Sequence, residues 1–544
     1  MVQALSDVGA NRYGRPDQAD GRAFGMSPLA DSGLIRRVGI LLGVSWGYHR
    51  PRRPSPRTSP SLLPRRFAVA IGSFTMLTSL MVPAASFAAS YDPATDPYSM
   101  ANTTALTGAA AWWDAGYTGA GVDVALIDTG VSPVEGLTTP GKVLYGPDLS
   151  FESQAPNLRN YDTMGHGTFM AGLIAGRDSS TTAPYADAPP SAYRGMAPDA
   201  RIVSLKVGVA DGGADVSQVI AAVDWVVQHR HDDGLNIRVI NLSYGTNSIQ
   251  DSSVDPLAYA VEQAWKKGIV VVVAGGNMGF QSHMNNAPAL ADPANDRYVL
   301  AVGSAETQGT QTFADDSVPS FSPWPKRGAT RSVDLVAPGT HLQGLRVPNS
   351  FIDAQFPEGL LSDRYFRGSG TSESAAIVSG AAALVLQRYP GATPDQVKRL
   401  LTTTGYDING KAQQVGGGEV QLTKALTTTL PSYVQLWAPA LGTGLLELAR
   451  GSDHLTDDGV VLSGEIDIFG HAFDSVAMAA LEAAEASWTG GTWNGNSWSG
   501  NSWSGNSWSG NSWSGNSWSG NSWSGNSWSG NSWSGNSWSG YCWS

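Results

Sequence analysis

Val122-Asp123-Val124-Ala125-Leu126-Ile127-Asp128-Thr129-Gly130 is the stretch on which the fold turns. A short apolar run rich in β-branched residues, closed by glycine, reads as a strand buried on both faces. Runs at 201–207, 238–242, 269–274, 298–302 and 333–336 repeat the pattern, while 217–228 and 256–267 carry apolar residues at helical spacing. Alternating strands and helices predict an α/β fold in which a mostly parallel sheet is covered by helices on both faces. Reactive residues of such sheets gather at the carboxyl ends of the strands. Asp128, Ser243 and Asn277 each follow a predicted strand.

Two other stretches put a reactive side chain beside glycine at a predicted helix start: Gly165-His166-Gly167-Thr168 and Gly370-Thr371-Ser372. A serine hydroxyl is a poor nucleophile near neutral pH and needs a base within hydrogen-bond reach. An imidazole, here His166, can take that proton and return it. Asp128 would fix the ring's tautomer and stabilise the imidazolium. Asn277, in Ala274-Gly275-Gly276-Asn277, supplies an amide for an oxyanion, together with the Ser372 N–H at the start of a helix. Taken singly, these pieces read as a turn, a helix cap and a loop residue. Their joint order and glycine context point to a peptide-bond hydrolase that calls for no cofactor.

The chain has 544 residues and a net charge of −12. Residues 1–88 contribute +7 and the remainder −19. An acidic body argues against a nucleic-acid groove. The single cysteine, Cys542, excludes an intrachain disulfide and leaves a dimer through that thiol open. Residues 67–82 form an apolar run after Arg65-Arg66, with Ser86 and Ala88 placed for a signal peptidase. The run is short for a membrane span, so the sequence predicts a protein cut after Ala88 and secreted, either extracellular or cell-wall associated.

Four regions follow: a leader over 1–88, a catalytic domain over 89–430, a small adjunct over 431–486 and a repeat tail over 487–544. In the tail, tryptophan recurs every five residues from Trp488 to Trp543, and no charge appears after Glu485. That period keeps indoles on one face of neither a helix nor a strand. A disordered tail or a four-sided solenoid remains, and exposed indoles there would contact cell-wall or other glycans.

From about residue 100 to about 405 the chain resembles the subtilisin-like serine peptidases (subtilases). Val124–Val131 matches the family's aspartate motif, Gly165–Gly172 its histidine motif and Gly368–Ser372 its nucleophile motif. Gly195-Met196-Ala197-Pro198 is also typical. Asn241-Leu242-Ser243-Tyr244-Gly245 matches the edge segment that pairs with substrate backbone. The resemblance implies a subtilisin-like three-layer fold with a roughly seven-stranded sheet. It also implies endopeptidase activity through an acyl-enzyme, and extended protein or peptide substrates bound along Ser243, Tyr244 and Gly245 in an open pocket of moderate size. Relatives commonly hold calcium. The stretch 177–193 has only two Asp, so structural calcium is left open and no metal ligand is assigned. One departure stands beside the nucleophile, where Glu373 is expected to point sideways into a substrate pocket.

Overall fold

The computed structural model describes residues 91–279, 290–325, 331–457 and 460–497. The leader, residues 498–544 and Cys542 lie outside the described residues, as do the expectations that rest on them.

Seven strands form one sheet: β1 Asp123–Asp128, β2 Val143–Asp148, β3 Arg201–Lys206, β4 Ile237–Leu242, β5 Val270–Ala274, β6 Leu300–Ala305 and β7 Leu335–Pro338. Their order is β2-β3-β1-β4-β5-β6-β7, and all six pairings are parallel. Strand β2 is the one the apolar pattern does not announce. It is an edge strand, half-buried along most of its length and interrupted by Gly146-Pro147, so it lacks the continuous apolar signature of β1 or β5.

Helices cover the sheet in two pairs. One pair is α3 His166–Ala175 and α7 Thr371–Arg388; the other is α4 Val216–His229 and α5 Pro256–Lys266. Smaller helices precede or separate them: α1 Met100–Thr107, α2 Ala109–Asp114 and α6 Phe351–Gln355. Every residue of α3 is buried, as are residues 371–386 of α7. Only a nearly charge-free sequence tolerates this, since unpaired buried charge is costly. Asp215 caps α4 in a capping box with Gln218, and Asp255 caps α5 ahead of Pro256. Each satisfies donors a helix start leaves open.

From β1 the chain first forms the edge strand β2, comes back to fill the place between them with β3, and then crosses to the other side of β1 for β4. That reversal opens a crevice at the carboxyl ends of β1 and β4, the usual ligand position in open α/β sheets. Asp128 ends β1, and Ser243 follows β4.

Residues 431–497 wrap the catalytic body closely. Ala440 N–H donates to Glu262 Oε1 at 2.8 Å, and Tyr298 O–H to the Trp437 carbonyl at 2.7 Å. Arg450, fully buried, pairs with Asp215. The first two tail indoles are not exposed, contrary to the sequence expectation. Trp493 is buried and donates Nε1–H to Asp224 Oδ2 at 2.8 Å, while Trp488 Nε1–H reaches the Ala221 carbonyl at 2.8 Å. Two-residue turns, Gly490-Gly491 and Asn494-Gly495, all with positive φ, reverse the chain between short antiparallel strands. Such turns match the twist of hairpin strands, so here the five-residue spacing becomes a hairpin repeat that returns both rings to α4.

Buried carboxyls come in pairs: Asp255 with Asp292, Glu262 with Asp296, Asp316 with Glu419 and Asp224 with Glu482. Burial raises all of them, to about 6 for Asp316 and about 7 for Asp224 and Glu262. Their unfolded values lie near about 4. Between those limits the folded chain holds more protons than the unfolded chain, so stability falls as pH rises. Buried lysines act in the opposite direction only from near 7 upward, Lys142 being lowered to about 7 and Lys398 to about 8. The melting temperature is therefore expected to be higher at about pH 5 than at about pH 7 at fixed ionic strength. A thermal scan that is flat or rising over that interval contradicts this.

Candidate active site

Asp128 and His166 meet directly. His166 Nδ1 lies 2.9 Å from Asp128 Oδ1 and 3.2 Å from Oδ2, with both side chains buried. Asp128 Oδ1 also accepts from the Thr129 N–H at 2.8 Å. The contact requires α3 to start hard against the end of β1. A Cβ on Gly167 would collide with the Gly130 carbonyl and lie 2.9 Å from Asp128 Oδ1. Gly165, at φ 101°, turns the chain into the helix in a conformation other residues seldom adopt.

A second carboxylate, absent from the sequence reading, fixes that helix start. Asp162 accepts from the Gly165 and Thr168 N–H groups, each at 2.7 Å, and from Thr129 Oγ1 at 2.8 Å. Thr129 Oγ1 in turn accepts from the Gly167 N–H at 3.0 Å. Burial raises Asp162, while the Thr168 and Gly165 bonds act against it. Asp162 stands four residues before His166, a spacing that could have marked it as a cap.

Ser372 is the second residue of α7, where N–H groups have no intrahelical acceptor. Asn277 is tied to the same helix start. Its Oδ1 accepts from the Thr371 N–H at 2.8 Å and Thr371 Oγ1 at 3.0 Å. Thr371 Oγ1 also accepts from the Gly276 N–H at 3.1 Å. These bonds set the amide's orientation and leave Nδ2 as its donor end. Thr371 is thus a second residue the motif reading did not single out, its signal being only its place between Gly370 and Ser372.

The two halves face each other across packed helices. A Cβ on Gly380 of α7 would sit 3.1 Å from the Ile174 carbonyl of α3, and the Glu373 carboxyl senses the charges of His166 and Asp128. No hydrogen bond joins Ser372 Oγ to His166 among the described residues. Contacts of this kind are often long without substrate and tighten when it binds.

Ser243 Oγ accepts from Asn241 Nδ2 at 3.0 Å and donates to the Ser372 carbonyl at 3.4 Å. The segment after β4 therefore begins against the backbone of Ser372. Gly245 N–H and C=O make no hydrogen bond among the described residues, so they remain open to an added strand. Tyr244 does not line an open pocket, in contrast to the sequence expectation. It is 2 % exposed, enclosed near Asp215, Arg450, Asp453 and Asp292. Just beyond it, Thr246 Oγ1 donates to the Ala449 carbonyl at 2.6 Å, and the Asn247 N–H to Asp453 Oδ2 at 3.0 Å. The C-terminal wrap, illegible as a neighbour in sequence, closes that side.

Glu373 also differs from its expected placement. It is 1 % exposed and turned inward, not into a substrate pocket. Among the described residues no group of three or more His, Cys, Asp or Glu side chains converges as a metal site. In the stretch considered for calcium, Asp178 is spent on Arg364 at 2.6 Å.

Comparison with known proteins agrees with this architecture. The profile of the Subtilase family matches residues 119–425. The chain is 36% identical over 291 residues to Serine protease AprX of Bacillus subtilis (strain 168), covering 52% of this chain and 61% of that protein. It is 30% identical over 311 residues to Subtilisin DY of Bacillus licheniformis, covering 57% of this chain and 92% of that protein. Mycosin-1 of Mycobacterium tuberculosis (strain ATCC 25618 / H37Rv) is 33% identical over 349 residues, with coverages of 58% and 70%. The matched residues run from just before β1 to beyond α7 and so contain the aspartate, histidine, asparagine and serine described above. On that match and that fold, the chain belongs to the subtilase family of serine peptidases.

Proposed function

We propose that the protein is a secreted endopeptidase that cleaves extended peptides through a Ser372 acyl-enzyme. The observation that carries this reading is the buried His166–Asp128 contact at 2.9 Å, set opposite a helix start that holds both Ser372 and Asn277. Ser372 Oγ attacks the scissile carbonyl carbon while His166 Nε2 takes its proton. Asp128 keeps the ring's other nitrogen oriented and stabilises the imidazolium. Charge on the carbonyl oxygen is received by Asn277 Nδ2–H and the Ser372 N–H. Collapse breaks the C–N bond, and the leaving amine takes the proton from His166. Water then repeats the sequence and frees the acid. Substrate backbone adds as a strand along Ser243, Tyr244 and Gly245.

Labelling by a fluorophosphonate tests the nucleophile: wild type is expected to label at Ser372, and Ser372→Ala not at all. Mass spectrometry of a digested peptide library then gives the residue preference. Asn277→Ala is expected to lower kcat by about 10²–10³-fold with a much smaller change in KM; an equal loss through KM alone would remove Asn277 from the oxyanion role. Secretion rests on the apolar run at 67–82. N-terminal sequencing of protein recovered from culture medium is expected to begin at Ala89, and recovery only from cells would refute export.

A further inference from the structure

We infer that the protein carries a second ligand site, a basic cavity at the amino ends of β6 and β7 that binds a doubly charged phosphoryl group. It goes beyond the catalytic reading and depends on none of the residues used there.

The cavity measures about 290 Å³, close to the lower end of ordinary small-molecule sites. Arg297 stands just before β6, and Arg331 and Asp334 just before β7. Lys398 and Arg399 come from α8 Pro394–Thr404, Tyr433 and Trp437 from the C-terminal wrap. Because the sheet is parallel, this end lies opposite the one that bears Asp128 and Ser243. Four cations and one carboxylate line the cavity, an excess of three positive charges. The carboxylate is already spent. Asp334 Oδ1 accepts from Arg331 Nη1 at 2.8 Å and pairs with Lys398 Nζ at 3.1 Å. Its Oδ2 accepts from Arg331 Nη2 at 2.9 Å and the Ala301 N–H at 2.8 Å. Burial alone would raise Asp334, but Arg331 and Lys398 outweigh it and hold the carboxyl below its usual range. Acids on the same segments are engaged elsewhere. Asp395 accepts from Trp265 Nε1–H at 2.7 Å and the Gln435 N–H at 3.0 Å, and Asp296 is paired with Glu262.

The donors left over point the same way. Arg399 stacks on Tyr433, 5.1 Å from the ring centre, and Arg297 on Trp437 at 4.6 Å. A stacked guanidinium keeps its N–H fork available for bidentate contact with an oxyanion. Among the described residues the Arg399 guanidinium, the Tyr433 O–H and the Trp437 Nε1–H make no hydrogen bond. Arg331 and Lys398 are spent on Asp334 and on backbone carbonyls, so they supply positive field and not new bonds. Unspent donors, surplus positive charge and no unspent carboxylate together favour an anion. A monocarboxylate would offset one of the three excess charges. A phosphoryl dianion offsets two and brings three acceptor oxygens. Trp437, 44% exposed, adds a flat apolar wall for the organic part of a phosphate ester. Free phosphate and such an ester share the recognising chemistry.

Isothermal titration of the full chain tests this, carried out on the Ser372→Ala protein to prevent self-digestion. The probes are inorganic phosphate, phenyl phosphate and benzoate, at fixed ionic strength and about pH 7.5, where a phosphoryl group is mostly dianionic. Both phosphates are expected to bind with a Kd of about 1 mM or tighter, and benzoate about tenfold more weakly. Arg399→Ala, at an exposed position, is expected to weaken both phosphates about tenfold, and Arg399→Lys less. Tyr433→Phe, which keeps the ring, weakens them about threefold. Arg159→Ala, in the segment after the opposite edge strand β2, leaves them unchanged. Thermal unfolding without probe shows that each variant is folded. Tighter binding of phenyl phosphate than of phosphate identifies an ester as the ligand; equal or weaker binding identifies the free ion. Benzoate binding as tightly as phenyl phosphate overturns the proposal. So does the failure of both phosphates to bind up to about 10 mM, or affinities that Arg399→Ala and Tyr433→Phe leave unchanged.

Discussion

Ser372→Ala is expected to lower peptide-bond turnover by about 10⁶-fold, the scale on which a serine nucleophile and its base fail together in enzymes of this family. In the proposed mechanism the Ser372 hydroxyl forms the acyl bond, and His166 without it has no proton to move. His166→Ala should therefore cost about as much, and the double variant little more than either single one. Asp128→Asn is expected to cost about 10⁴-fold. An asparagine in its place would present an N–H to the His166 ring at 2.9 Å and favour the wrong tautomer. Single-turnover assays with active-site titration of wild type give the measurement. Residual Ser372→Ala turnover within about tenfold of wild type, after excluding contaminating protease, would mean that a different group attacks.

Arg450→Ala is expected to destabilise the fold by about 3–5 kcal/mol, the usual cost of removing one partner from a fully buried ion pair. Arg450 Nε donates to Asp215 Oδ2 at 2.6 Å, and its other nitrogens reach the Gly464 and Ile466 carbonyls at 2.7 and 2.5 Å. Asp215 caps α4 and accepts from the Ser217 N–H at 2.9 Å. Burial alone would raise Asp215, but Arg450 and Ser217 outweigh it and hold the carboxyl below the usual range. A depressed carboxyl contributes stability above its unfolded value near about 4 and loses it as pH falls through the folded value. The penalty of Arg450→Ala should therefore be greatest near neutral pH and shrink in acid, where Asp215 can be protonated. Asp215→Asn with Arg450→Met should cost less than Arg450→Ala alone, because no charge is stranded. Urea denaturation at two pH values checks both statements. A loss below about 1 kcal/mol at neutral pH would show that the pair contributes little to holding the C-terminal wrap on α4.

The two variants probe different layers of legibility. The buried strands and α7 were readable because their burial leaves a continuous apolar signature along the chain. Asp128, His166, Asn277 and Ser372 are legible as candidates because they stand at strand or helix ends, and glycine marks those ends. Strand β2 was not readable, since an edge strand buries little and carries Gly146-Pro147. The roles of Asp162 and Thr371 are not legible in the sequence, because both accept from backbone N–H groups whose positions exist only in the folded chain.

The sequence by itself determined the α/β layering and the subtilase family motifs, because local burial and turn chemistry depend on near neighbours in the chain. Only the tertiary structure decided that Tyr244 is enclosed, that Trp488 and Trp493 are packed onto α4, and that Glu373 is buried near the Phe169 ring. Each of those outcomes depends on segments more than 200 residues apart meeting in space. Burial and electrostatic environment are properties of that meeting, and no local pattern records them.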